Sequence, residues 1–291
     1  MKNPFFTLLL LMFGMISSVS AQDVELPRIS PKASVSYTLG MTEVAIQYGA
    51  PAVNDRKIWG GLVPYDEIWR AGANEATTVS FSTEVNLEGQ TVRPGKYSLF
   101  FIPGEEEWTV ILNNVTDQWG TSSYDESKDA VRFTVKPKMN EGLQERLMYS
   151  IHDMNVEMGY IKLSWEKMRL YLRFKVDVMD QSMSNITAAL VETPEDQKWN
   201  VYTQGARFLL DFDGNLDQAL HWAKLATEQT EHSWPWFVRA RVEAKKGDMA
   251  AAVASGTKCA EIGLMQEEDT FYEENADQIN AYIQSWAAKM N

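Results

Sequence analysis

The chain has 291 residues, one cysteine and a formal net charge of −13. Such an acid surplus repels polyanions, so nucleic acid is excluded as a partner, and no basic stripe marks an anionic membrane surface. A single cysteine excludes an internal disulfide, so burial must hold the core; ten tryptophans, eleven tyrosines and twelve phenylalanines supply the apolar area.

The chain opens with Lys2, an apolar run from Phe5 to Val19 and the small residues Val19-Ser20-Ala21. That order is the pattern of a secretory signal peptide cleaved near Ala21. The run is too short, and too soon followed by Gln22, Asp23 and Glu25, to stop in a membrane. The expectation is a soluble mature chain without a transmembrane segment, periplasmic or secreted. Residues 22–291 exceed one ordinary compact domain, so two are expected, a β domain at 22–180 and a helical one at 181–291.

From Ala33 to about Val178 the apolar period is two. It runs through Val44 and Ile46, Val79 and Phe81, Tyr97 to Phe101, and Val110 and Leu112. It resumes at Val131 to Val135, Leu147 to Ile151, Ile161 to Trp165, and Leu170 to Val178. Alternation of this kind marks half-buried strands. Leu87-Glu88-Gly89-Gln90, Arg93-Pro94-Gly95 and Ile102-Pro103-Gly104 read as turns, and Trp165-Glu166-Lys167-Met168 as a hairpin joining the last two strands. About nine or ten such strands with no helical pattern between them predict an antiparallel β-sandwich.

Past Asp180 the period changes. A short helix is expected to open at Ser184-Asn185-Ile186 and stop near Thr193-Pro194, with a longer one from Pro194-Glu195-Asp196 through Leu210. The sequence then repeats at 33 to 34 residues: Ala206 with Ala240, Gly214 with Gly247, Ala219 with Ala252, and Ala226 with Cys259. A glycine-polar-apolar turn followed by small residues is the pattern of tetratricopeptide-like helical hairpins. Residues 268–290, with Ile279, Ile283 and Trp286, read as a closing amphipathic helix.

The segment from Ile58 to Phe81 carries the densest mixture of aromatic, polar and glycine residues. Arg70 is a planar bidentate donor, Asn74 both donates and accepts, and Glu75 is a carboxylate; with Trp59 and Thr77 they suit recognition of a polar, flat-faced ligand such as a sugar. The competing reading is a buried polar network in which Arg70 and Glu75 satisfy each other. A second polar and aromatic loop, with Asn113, Trp119 and Tyr124, is long enough to bind rather than merely connect. The three histidines, His152, His221 and His232, are not at metal-ligand spacing, and no nucleophile elbow or phosphate loop is present. No catalytic residue, metal or cofactor is therefore assigned. Cys259, at a small-residue position of a repeat, reads as a packed core thiol.

Leu62-Val63-Pro64-Tyr65, Ile68 to Thr77, Pro94 to Phe100, Trp108 to Asn113 and Trp119-Gly120 together resemble the bacterial family known as domain of unknown function 2911, over about residues 28–180. The resemblance implies an exported protein of Bacteroidetes-type bacteria, in some members with a helical extension, and brings no established activity or catalytic residues. The expected function is a non-enzymatic binding module: the sandwich for a small polar or carbohydrate ligand, the helical repeats for a protein partner. Two alternatives stand beside it. One is a glycosidase-like hydrolase pairing Glu75 with Asp66 or Glu67; the other is an envelope assembly factor working through its repeats.

Overall fold

The computed structural model of the chain describes residues 26–266 and 269–290. The segment read as a signal peptide, residues 1–21, lies outside them.

Among the described residues there are ten strands: β1 (Lys32–Leu39), β2 (Thr42–Gly49), β3 (Thr78–Phe81), β4 (Val85–Leu87), β5 (Gln90–Val92), β6 (Gly95–Pro103), β7 (Trp108–Asn113), β8 (Asp129–Val135), β9 (Lys138–Asp153) and β10 (Met158–Val176). They form two antiparallel sheets, a larger one in the order β1-β2-β3-β6-β7-β8 and a smaller one in the order β5-β4-β10-β9. Alternate residues of both sheets meet in one core, including Ile46, Leu99 and Trp108 from the larger and Leu163, Leu170 and Phe174 from the smaller. Each such side chain contributes about 1.5–3 kcal/mol on burial. The expected sandwich is therefore what this alternation builds.

The hairpin expected at Trp165–Met168 does not exist. β10 runs straight through it as one strand, with register shifts on either side of Glu166, whose φ is +51°. The buried positions reveal the cause: they are odd at Ile161, Leu163 and Trp165, and even at Met168, Leu170, Leu172 and Phe174. From Ser164 to Met168 the partner strand β9 runs from Met148 to Met139, so the ladder is interrupted twice, and across this irregularity the parity facing the core switches. In the sequence the switch imitates a turn. Arg169 clamps the irregularity, donating to the carbonyls of Glu166, Met168 and Gly142.

Strand gives way to helix at Asp177, whose side chain accepts from the Asp180 amide and caps α1 (Val178–Glu192). The helix expected to open at Ser184 thus starts earlier, at this cap. After a short 3-10 turn come α2 (Lys198–Asp211), α3 (Leu216–Gln229), α4 (Ser233–Lys245), α5 (Met249–Met265) and α6 (Thr270–Ala288). The repeat has a plain physical basis. Asn215 and Asp248, each following a glycine, cap the N-termini of α3 and α5. The small residues Ala206, Ala219, Ala226, Ala240, Ala252 and Cys259 are all fully buried where helices meet. Asp269 caps α6 and also receives the backbone amide and hydroxyl of Ser233 at the start of α4 (2.5 and 2.9 Å), locking those two helices together. The helices touch the sandwich through Gln181, which donates to Thr83 (3.0 Å), and through Phe208, which packs on the sandwich core.

Candidate functional site

Between β2 and β3 lies a long irregular segment, residues 50–77, that closes one end of the sandwich. Its apolar residues face inward. Trp59, only 8% exposed, packs with Trp69, Trp108 and Trp165 at ring separations of 4.7 to 5.8 Å. Trp69 exchanges two backbone hydrogen bonds with Phe101, which extends β6 sideways. Trp59 thus belongs to the core. Thr77 is also fully buried: its hydroxyl donates to the Ala71 carbonyl (3.0 Å), which accepts a second bond from the Tyr149 hydroxyl (2.8 Å). These two bonds hold Ala71 in the left-handed region, at φ +57°. Complete burial pushes the Tyr149 phenol well above its ordinary value.

The loop from Asn114 to Lys128 folds over the outer face of the larger sheet. Beneath it Phe100 and Ile111 are buried on that face as well, against Ala76, Ile68 and Tyr124. Asn113, fully buried, holds the loop by donating to the Asp125 carbonyl and to Asp129 (both 2.9 Å) and accepting from the Val115 amide (3.0 Å). The Tyr124 hydroxyl donates to Asp129 (2.8 Å) and accepts from Arg132 (2.8 Å); burial first, and the Asp129 bond second, push its phenol up to about 12. Asn113 and Tyr124 therefore anchor the loop.

At its tip the loop zips onto residues 74–76. The Ala76 amide donates to the Gln118 carbonyl (2.9 Å), the Gly120 amide to the Asn74 carbonyl (3.3 Å), and Glu75 stands directly opposite Trp119 in an antiparallel bridge. Residues opposed in this way project their side chains to one side, so Glu75 and Trp119 share a face. Trp119 is 62% exposed. Beside them lies a groove of about 450 Å³ on the outer face of β1, β2 and β3, lined by Ser34, Gln47, Thr78, Lys96, Asp117 and Gln118 together with Lys32 and Glu75.

Glu75 does not meet Arg70. Its carboxylate receives two bonds from Arg28 (both 2.7 Å) and lies 3.5 Å from the Lys32 ammonium. The Arg28 bonds hold the Glu75 carboxyl below its ordinary value. Asn74, held in the left-handed region at φ +65°, turns the other way and donates to the Ser30 carbonyl (3.1 Å). Arg70 goes with Asn74, lining a different cavity behind the ladder. Of the eight predicted residues, the fold thus brings Glu75 to the groove and sets Trp119 opposite it in the bridge. It places Arg70 and Asn74 on the opposite side, and Trp59, Thr77, Asn113 and Tyr124 in supporting positions. Sequence reading missed Arg28, Lys32, Lys96, Asp117 and Gln118. The two strand residues were legible as outward positions of an alternating pattern; Arg28, 47 residues from its partner, carried no local signal.

A family model described as protein of unknown function (DUF2911) matches residues 30–174. The β part belongs to this family. In this DUF2911 chain the family region takes in both sheets, the 50–77 segment and the groove, and ends two residues short of the end of β10. No curated protein and no solved structure matches the chain. No helix among the described residues is long and apolar enough to cross a membrane.

Proposed function

We propose that this is an exported, non-enzymatic binding protein whose sandwich takes a neutral polar ligand of the carbohydrate class in the groove beside Trp119. The N-terminal pattern of Lys2, an apolar run and Val19-Ser20-Ala21 supports export. The observation that carries the binding reading is Trp119: a large indole left 62% exposed, in register with an ionised Glu75 at the edge of a polar groove. Exposed indoles offer a flat apolar face, and hydroxyl-bearing rings present a matching one. The lining carries both signs, the ammonium groups of Lys32 and Lys96 and the carboxylates of Glu75 and Asp117, with the side-chain amides of Gln47 and Gln118 beside them. Gln118 adds a buried side-chain oxygen with no hydrogen-bond partner among the described residues.

A hydrolase reading draws less support. A general acid needs a raised pKa, whereas Arg28 lowers that of Glu75, and neither Asp66 nor Glu67 lines the groove. The helical repeats are read as a surface for a protein partner, as in other stacked-hairpin architectures.

The test is calorimetric titration of the purified chain against a panel of neutral oligosaccharides, repeated with Trp119→Ala. Binding that weakens at least tenfold in the variant, at an unchanged thermal midpoint, supports the reading. Binding of no member of the panel, or equal binding by Trp119→Ala, overturns it, and turnover of a bound glycan overturns the non-enzymatic part.

A further inference from the structure

We infer that the cavity behind the 74–76 ladder is a second site, distinct from the groove, that binds a small organic carboxylate on Arg70. The cavity has a volume of about 360 Å³ and is walled by Ser30, Arg56, Trp69, Arg70, Asn74 and Trp165. That size suits a small molecule rather than a chain of rings.

Its charge is the first argument. In a chain of net charge −13, two guanidinium groups line this cavity, and no carboxylate among the described residues lines it. Arg56 spends donors on the Val53 and Ala52 carbonyls (3.0 and 2.6 Å), which fixes its position but leaves its charge unbalanced. Arg70 has neither an ion pair nor a side-chain hydrogen bond to any described residue, and its Nε is buried without a partner. A guanidinium carries five donors in a planar fork, and leaving a buried donor unmet is costly. A carboxylate answers that fork with two parallel charge-assisted bonds. Neutral hydroxyls do not balance the two charges.

The walls supply the second argument. Trp69 and Trp165 lie stacked, 5.8 Å apart at 19°, so a flat apolar surface stands beside the guanidinium. Trp69 is pinned by its own indole N–H, which donates to the Gly72 carbonyl (3.1 Å). A ligand with a carboxylate at one end and a compact apolar body fits this division.

The third argument is backbone strain. Asn54, Ala71 and Asn74 hold φ values of +47°, +57° and +65° around the cavity. Non-glycine residues held there cost on the order of 1–3 kcal/mol each and cluster at ligand sites, where they fix geometry in advance. Here the strain fixes the turn that follows Arg70.

The experiment is calorimetric titration of the full chain with 3-phenylpropionate, with its neutral amide 3-phenylpropionamide, and with the peptide Gly-Gly-Phe. The expected result is binding of 3-phenylpropionate that weakens with added salt, with the amide at least tenfold weaker. Arg70→Gln should lose at least tenfold, and Arg70→Lys, which keeps the charge but not the fork, should fall between. Should Arg70→Gln fail to fold, Leu62→Glu, at an exposed position on the rim, brings a competing charge to the cavity and should weaken binding likewise. Equal affinity for acid and amide, no binding of 3-phenylpropionate at millimolar concentration, or unaltered affinity in folded variants overturns the inference. Binding of the peptide acid alone overturns its small-molecule form. None of these outcomes depends on oligosaccharide binding at Trp119.

Discussion

Gly49, the last residue of β2, is where the 71–76 turn presses on the sheet. A Cβ at this position would fall well inside 3.0 Å of the Ala73 carbonyl oxygen, closer than real Cβ atoms come to anything. The obstacle is backbone, so Gly49→Ala forces the turn to retreat by roughly 1 Å, an overpacking that costs about 1–3 kcal/mol. The retreat also breaks the long Ala73 amide to Gly49 carbonyl bond (3.3 Å), adding about 1 kcal/mol. Against this, alanine restricts the unfolded chain and returns about 0.4–1 kcal/mol. The net expectation is a loss of about 2 kcal/mol, or a fall in Tm of roughly 4–8 °C for a chain of this size. Differential scanning calorimetry measures it directly. Gly142→Ala is the control, since its Cβ would meet only the Asn140 side chain, at 4.0 Å, and it should stay within about 0.5 kcal/mol of wild type. A Gly49→Ala protein melting with the control would refute the reasoning, because the turn would then not be seated on the sheet.

Tyr149→Phe removes one of two bonds to the buried Ala71 carbonyl and should cost about 1 kcal/mol in urea denaturation, with Thr77 still in place. Asp269→Ala removes the cap of α6 and both Ser233 bonds, and should destabilise the helices by about 2–3 kcal/mol, read from the far-ultraviolet circular dichroism melt. Burial pushes the Cys259 thiol up to about 12, so the folded chain should not react with a thiol reagent at pH 8 and should react once denaturant unfolds it. The folded pKa of Glu75 is lowered, so its contribution is present above the ordinary carboxylate value of 4.5 and lost as pH falls through the folded value. Glu75→Gln should therefore cost under about 1 kcal/mol at pH 7, as exposed pairs do, and the difference from wild type should vanish at strongly acid pH.

Periodicity carried most of the architecture. Strand alternation and the 33-residue repeat are direct consequences of which side chains must be buried, so Ile46, Leu99, Phe174, Ala219 and Ala252 were legible one by one. The irregularity at Glu166 was not, because a change of parity inside one strand looks in the sequence like a turn between two. The groove was legible only in part. Glu75 and Trp119 stood out by type, but a buried indole such as Trp59 and an exposed one such as Trp119 have the same composition. Only the fold, by covering Phe100 and Ile111 with the 114–128 loop, decides which indole reaches solvent. The Arg28–Glu75 tie depends on the end of one segment meeting a turn 47 residues away, which no local pattern records.

The pairing expected between Arg70 and Glu75 failed for a reason that shapes both functional readings. Arg70 and Glu75 are close in sequence, and a compact loop would let them meet. The 74–76 segment is not a loose loop, however: its backbone bonds to Gln118 and Gly120 fix it, and Asn74, held at φ +65°, sends its side chain to the Ser30 carbonyl, away from the Glu75 carboxylate on Arg28. Asn74 and Glu75 therefore part company, and Arg70 stays with Asn74. Each side then has its own electrostatic character. Glu75 faces a groove lined by groups of both signs, and Arg28 already occupies its oxygens. Arg70 faces a cavity where positive charge stands without a counterion. A variant that loosened the ladder itself, such as Gly120→Val beside the Arg70 guanidinium, should disturb both sides at once, whereas Trp119→Ala and Arg70→Gln should each disturb one. Binding measurements that failed to separate in this way would mean that the two cavities are one site, and the division drawn along residues 74–76 would fall.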